Sequence, residues 1–111
     1  MKFLLLLYGD EAAEAALPVT EQRRIIDEHD AFGDALRDGG AFVFGSAVDE
    51  SAAAKTVRDG VVTDGPFTKT REQIGGVYVI SGADIDEAVA YAKQVPKSPD
   101  LTVEVRPLLE I

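Results

Sequence analysis

At 111 residues with 46% hydrophobic content, the chain is long enough to bury one core and too short to divide it, so a single domain over residues 1–111 is expected. Twenty Asp and Glu against 11 Lys and Arg leave a net charge of −9, which repels phosphate backbones and anionic membranes and argues against nucleic acid and membrane partners. With no cysteine, disulfides, thiolate nucleophiles and thiolate metal sites are all excluded.

The apolar start Phe3 to Leu7 follows Lys2, but it is shorter than the hydrophobic region of a signal peptide and runs into Tyr8-Gly9-Asp10 with no small-residue cleavage site. It reads as a strand, and the protein as cytoplasmic. Both alternating sets, Phe3/Leu5/Leu7 and Leu4/Leu6/Tyr8, are apolar, so that strand needs cover on both faces. Asp10 to Leu17 is alanine-rich and acidic, a loop with one helical turn that Pro18 interrupts. Thr20 is placed to cap the next helix, with Glu21 in its first turn. From there to Asp38, Ile25, His29, Phe32 and Leu36 recur at i, i+4, i+7 and i+11 as one buried stripe, until Gly39-Gly40 ends the helix.

Ala41 to Val48 reads as a second strand, followed by a polar small-residue connection. Lys55–Arg58 and Val61–Thr63 flank Asp59-Gly60, the dipeptide that type I′ hairpin turns select. Gly75 to Ser81 is a further apolar strand. Asp84 with Glu87 opens a second helix whose buried stripe is Ile85, Ala88, Val89, Ala92 and Val95, ending before Pro96. Leu101 to Arg106 alternates apolar with polar, a strand with one wet face. No run reaches membrane-spanning length. The order β-α-β-(hairpin)-β-α-β predicts a ferredoxin-like α+β fold. Two helices cover one face of its sheet, so strands apolar on both sides imply a second copy against the other face, and a homodimer is expected.

The stretch Val61 to Gly76 concentrates the chemistry. Asp64, Gly65 and Pro66 make a stiff turn in which Asp64 serves either as a turn former or as a carboxylate held with little loss of entropy. Thr70, Arg71, Glu72 and Gln73 are too polar for a core and stand at a strand entrance. They suit an anionic or amide-bearing ligand, with Arg71 gripping a carboxylate, or else form a solvated face with intersubunit salt bridges. Gly75-Gly76 precedes a strand and so is no phosphate loop.

Asp64-Gly65-Pro66-Phe67, followed by Thr70-Arg71-Glu72-Gln73-Ile74-Gly75-Gly76 and by Val103-Glu104-Val105-Arg106-Pro107, resembles the DGPF-type members of the YciI-like (YCII-related) family. The resemblance spans nearly the whole chain and implies a dimeric α+β barrel. In the broader family, a helix-one histidine and an aspartate before a proline at the end of helix two are an acid–base pair. His29 matches the first, but Val95 stands where the aspartate would be, and Lys69 occupies a position commonly acidic in the DGPF pattern.

Two functions follow. One is a metal-free, cofactor-free acid–base enzyme of lyase or isomerase type, using His29 with Asp64 or Glu72 in a cleft between helix one and the sheet, on a small molecule. The other is a non-catalytic small-ligand-binding or regulatory dimer, which the loss of the aspartate at Val95 suggests. The bland reading of His29, a core histidine bonded to backbone, stands beside both, and a lone histidine without cysteine makes a poor metal ligand. Tyr8, Tyr78 and Tyr91 read as half-buried core with satisfied hydroxyls.

Overall fold

The computed structural model describes residues 1–110. It is an α+β fold in the expected order: β1 (Lys2–Asp10), α1 (Glu11–Ala15), α2 (Val19–Asp38), β2 (Phe42–Ala47), β3 (Lys55–Arg58), β4 (Val61–Asp64), β5 (Glu72–Ser81), α3 (Ile85–Ala92) and β6 (Thr102–Pro107). Four strands form an antiparallel sheet in the order β2-β5-β1-β6, while β3 and β4 pair as a separate hairpin.

The local chemistry explains most boundaries. Asp59 and Gly60 have φ of 52° and 77°, the paired positive values of a type I′ turn, and Arg58 faces Val61 across it. Gly40, at φ 71°, ends α2 with two reverse hydrogen bonds, Ala41 N–H to Leu36 O and Gly40 N–H to Arg37 O. This is a Schellman closure, and it buries Ala41 beside Leu36. Asp84 caps α3 by accepting from Glu87 N–H at 2.9 Å.

Other boundaries differ from expectation. Thr20 caps nothing: α2 begins at Val19, because the Pro18 carbonyl already accepts from the Glu21 and Gln22 amides. Asp10 caps α1 by accepting from Ala13 N–H. α3 stops at Ala92, so Val95 packs into the core from the turn beyond the helix. Gly75-Gly76 lies inside β5, where Gly75 is the extra residue of a bulge opposite Leu7 and Tyr8.

The core lies between the sheet and the helices. Phe3, Leu5 and Leu7 of β1, Tyr78 and Ile80 of β5, and Phe32 and Leu36 of α2 are all buried there. The opposite sheet face carries Leu4, Leu6, Tyr8, Val77 and Val79, all half-buried, with Phe44 53% exposed. The molecule is therefore a slab, 42 × 39 × 17 Å, about one sheet and one helix layer thick. No helix among the described residues is long and apolar enough to cross a membrane.

Candidate functional site

The stripe that seats α2 on the sheet, Ile25, His29, Phe32 and Leu36, brings His29 over β5. On β5, Tyr78 shares the helix-facing side with Ile80, because alternate residues point the same way. His29 Nδ1 and the Tyr78 hydroxyl meet in a 2.7 Å hydrogen bond, and their rings stack with planes 12° apart. Phe32 packs edge-on against Tyr78, ring centroids 5.2 Å apart. Gly45 lies directly across the ladder from Tyr78 and leaves the ring its space.

Burial holds the His29 imidazole below its usual 6.5, with Glu28 and Asp30 pulling the other way, so at neutral pH it is uncharged. Burial also raises the Tyr78 phenol above 10, and Asp30 adds to that shift. Among the described residues, Nε2 of His29 has no hydrogen-bond partner. No buried side-chain nitrogen or oxygen among the described residues is left unpaired, so Nε2 reaches solvent. The pair thus presents a neutral, oriented imidazole with one nitrogen occupied and the other accessible.

Asp64 stands elsewhere. It ends β4 on the hairpin, directly opposite Lys55, and its carboxylate, 84% exposed, forms a cross-strand ion pair with the Lys55 ammonium. The type I′ register aligns that carboxylate with a cation. The stiffness of the turn comes from Gly65, at φ 92°, whose N–H donates to Ala54 O and whose carbonyl accepts from Thr56 Oγ1. No hydrogen bond or ion pair among the described residues joins Asp64 to His29.

The polar run folds back on itself. Gln73 Nε2 donates to Thr68 O and Thr70 O, and Thr70 Oγ1 donates to Glu72 O, so these side chains close their own turn. Arg71 is shared among Glu72 at 3.2 Å, Asp100 at 3.3 Å and Asp10 at 3.6 Å, which raises its pKa, the Glu72 hydrogen bond most. Its exposed guanidinium is thus engaged by carboxylates of this chain. Glu72 and Tyr78 are six positions apart on β5, about 20 Å along a strand. Within one chain, the Thr70–Gln73 cluster and the His29–Tyr78 pair are two separate places.

Two hollows lie away from the pair. One, of about 390 Å³, is on the hairpin between Thr56, Arg58, Phe67 and Lys69; the other, of about 300 Å³, lies between α3 and β6 near Val89 and Val103. The chemistry favours the oriented imidazole of His29, the one histidine of the sequence, over either hollow. No cluster of three or more His, Asp or Glu side chains among the described residues is arranged to hold a metal.

Sequence reasoning missed Tyr78 as the partner of His29. Its signal was the helical stripe itself, which sets His29 over whichever sheet position carries a polar-tipped ring. Comparison with known proteins gives a family. The model for the YCII-related domain matches residues 1–111. A protein of Rhizobium meliloti (strain 1021), described as uncharacterized, is 32% identical over 114 residues, covering 97% of this chain and 92% of that protein.

Proposed function

The chain belongs to the YCII-related family, and on that premise we propose that His29, oriented by Tyr78, is the acid–base centre of a metal-free enzyme of lyase or isomerase type acting on a small molecule. The observation that carries this reading is the 2.7 Å contact holding one ring nitrogen while the other stays accessible, on an uncharged imidazole between α2 and the sheet. Asp64 belongs to the reading as a carboxylate presented by the projecting hairpin to a ligand or a second protomer, once Lys55 releases it, and not as the intramolecular partner of Nδ1. Thr70, Arg71, Glu72 and Gln73 belong to it as a ligand-facing rim in which Arg71 exchanges an internal carboxylate for one on a ligand.

The same reading takes the fold as ferredoxin-like and the assembly as a dimeric α+β barrel, two sheets closing over their shared outer faces. Surface and shape support this. The chain exposes 7412 Å², where a monomer of 11.9 kDa scales to about 5,900 Å². Its radius of gyration is 15.1 Å, where 111 residues scale to about 13 Å. The surplus, about 1,500 Å² per chain and so about 3,000 Å² for two, is of the order that an obligate homodimer interface covers. The same reading takes the protein as cytoplasmic, with Phe3 to Leu7 in a central strand of its sheet.

A second reading, a non-catalytic ligand-binding or regulatory dimer, is favoured by two positions. Val95 is core, 3% exposed, and Lys69 lines the hairpin hollow with Arg58, where a small anion would find two cations and the Phe67 ring. One screen separates the two. Small carbonyl compounds, alcohols and acids are added to ¹⁵N-labelled protein, and a ligand at about 100 times its dissociation constant also stabilises by about 2.7 kcal/mol. Shifts centred on His29 and Tyr78 support the enzyme. Shifts confined to the hairpin transfer the function to the second reading, and silence throughout leaves only an interaction module.

A further inference from the structure

We propose that Tyr78 donates its hydroxyl proton to His29 Nδ1 and so locks the resting imidazole with its hydrogen on Nε2, making His29 a hydrogen-bond donor to a neutral carbonyl oxygen before any proton is transferred. This rests on His29 being the centre of the site and names the substrate class of that site.

The direction of the bond follows from what each group can do. A phenol has one proton, and among the described residues the Tyr78 hydroxyl has no neighbour but Nδ1 to receive it. Were Nδ1 the donor, a hydroxyl on a side chain only 9% exposed would keep a proton with no acceptor. The 2.7 Å separation fits a hydroxyl donor. Packing holds the two rings together: they are stacked, Phe32 abuts the Tyr78 edge, and the absence of a Cβ at Gly45 leaves the phenol its space.

With Nδ1 bare and engaged, the proton sits on Nε2, the nitrogen that reaches solvent. A ligand there meets an N–H. Its surroundings select against anions: Glu28 and Asp30 both act on His29, and while Arg24 grips Glu28 at 2.6 Å, Asp30 has no ion pair among the described residues. A carboxylate ligand would be repelled by that uncompensated charge, whereas a ketone, ester or amide oxygen accepts a hydrogen bond without adding one. A neutral imidazole is a recognised polariser of carbonyls in enzyme sites.

His29 is the only histidine, so its two ring nitrogens are unambiguous in a long-range ¹H–¹⁵N spectrum of the intact protein. At pH 8 and without ligand, the expected pattern is a protonated Nε2 and a bare Nδ1. A protonated Nδ1, or shifts averaged between two tautomers, overturns the lock whether or not any ligand is ever found. In Tyr78→Phe, with folding checked from the amide spectrum, the two nitrogen shifts are expected to draw together as the tautomers exchange. An unchanged pattern in that variant removes Tyr78 from the role, and if the variant does not fold the wild-type pattern alone decides. For the substrate class, acetophenone and benzoate serve as probes of similar size. Acetophenone is expected to move the Nε2 signal and to bind at least tenfold tighter than benzoate. Tighter binding of benzoate, or no response of Nε2 to either, overturns the carbonyl assignment, while the ligand screen above judges the acid–base reading separately.

Discussion

Gly45 faces Tyr78 directly across the β2–β5 ladder, and a Cβ placed on it would stand 2.7 Å from Tyr78 Cδ1 and 3.3 Å from Phe42 Cε2. His29 and Phe32 pack against other sides of the phenol and restrict its movement away from that overlap. Gly45→Ala is therefore expected to destabilise the fold by about 1–3 kcal/mol, the usual range for overpacking a filled core. It should also disturb the His29 ring signals. Chemical denaturation checks the first, and a variant as stable as the parent would show that the ring has a second seat.

Asp30 acts on both members of the pair, favouring the imidazolium and opposing the phenolate. Asp30→Asn removes that charge and keeps the side chain's shape. The His29 pKa should then fall further below 6.5, since only desolvation and the Glu28 charge remain, and the Tyr78 pKa should move back toward 10. An NMR titration of the single histidine reads the first directly. A His29 pKa that stays put would mean water screens Asp30 from the ring.

What the sequence made legible is what local chemistry dictates. Asp59-Gly60 demands positive φ at two successive residues and so fixed the hairpin, and with it the register that sets Lys55 opposite Asp64. That pairing was available to arithmetic on the turn and shows why Asp64 is engaged on its own hairpin. Gly39-Gly40 announced the end of α2 for the same kind of reason. Tyr78 was harder. On β5 the set Val77/Val79 is as apolar as Tyr78/Ile80, so periodicity does not say which set looks toward the helices. Bulges at Leu7/Tyr8 and Phe42/Phe44 shift the register, and the partner lies 49 residues away. The reading of Tyr78 as a core ring with a satisfied hydroxyl agrees with the structure; the identity of the group that satisfies it came only from the packing of α2.

The buried imidazole gives stability a pH dependence. Because the folded state holds His29 below 6.5, the unfolded chain takes the proton first as pH falls. The contribution of His29 is therefore fully present above about pH 6.5 and is lost progressively as pH drops toward the folded pKa. Between about pH 8 and pH 5.5, the parent should lose more stability than His29→Gln, which has no proton to take up there. Denaturation midpoints of both proteins at the two pH values test this, and parallel losses would mean that the imidazole is not desolvated.

Arg71 gathers Asp10, Glu72 and Asp100, the last held at φ 56°, and so ties the loop before β6 to the ends of β1 and β5. Its guanidinium is exposed, so removing it should change global stability little. The local effect should be larger. In Arg71→Ala, three carboxylates lose their shared cation, and the Asp10 N–H to Pro99 O bond should open more often. Hydrogen exchange at the Asp10 and Leu101 amides is expected to accelerate, more at low salt than at high. Protection equal to the parent's would mean that the backbone alone holds the loop.

The outer face of the sheet decides the assembly. Leu6, Val77 and Val79 are half-buried and Phe44 is 53% exposed on that face, with the polar Glu104 and Arg106 beside them on β6. Leu6 pairs Val77 on one side and Glu104 on the other, near the middle of the face. If a second copy covers it, sedimentation of the parent at micromolar concentration gives twice the chain mass of 11.9 kDa. Val79→Glu places a charge among those residues without touching the helix side of the sheet. In a dimer that charge would be buried unpaired, so the variant should sediment as a folded monomer and its denaturation should lose its dependence on protein concentration. The half-exposed position of Val79 in the single chain is what lets the monomer survive the change. A parent that is monomeric at micromolar concentration, with the same amide spectrum as Val79→Glu, would mean that the face meets water, and the barrel reading would fail with it.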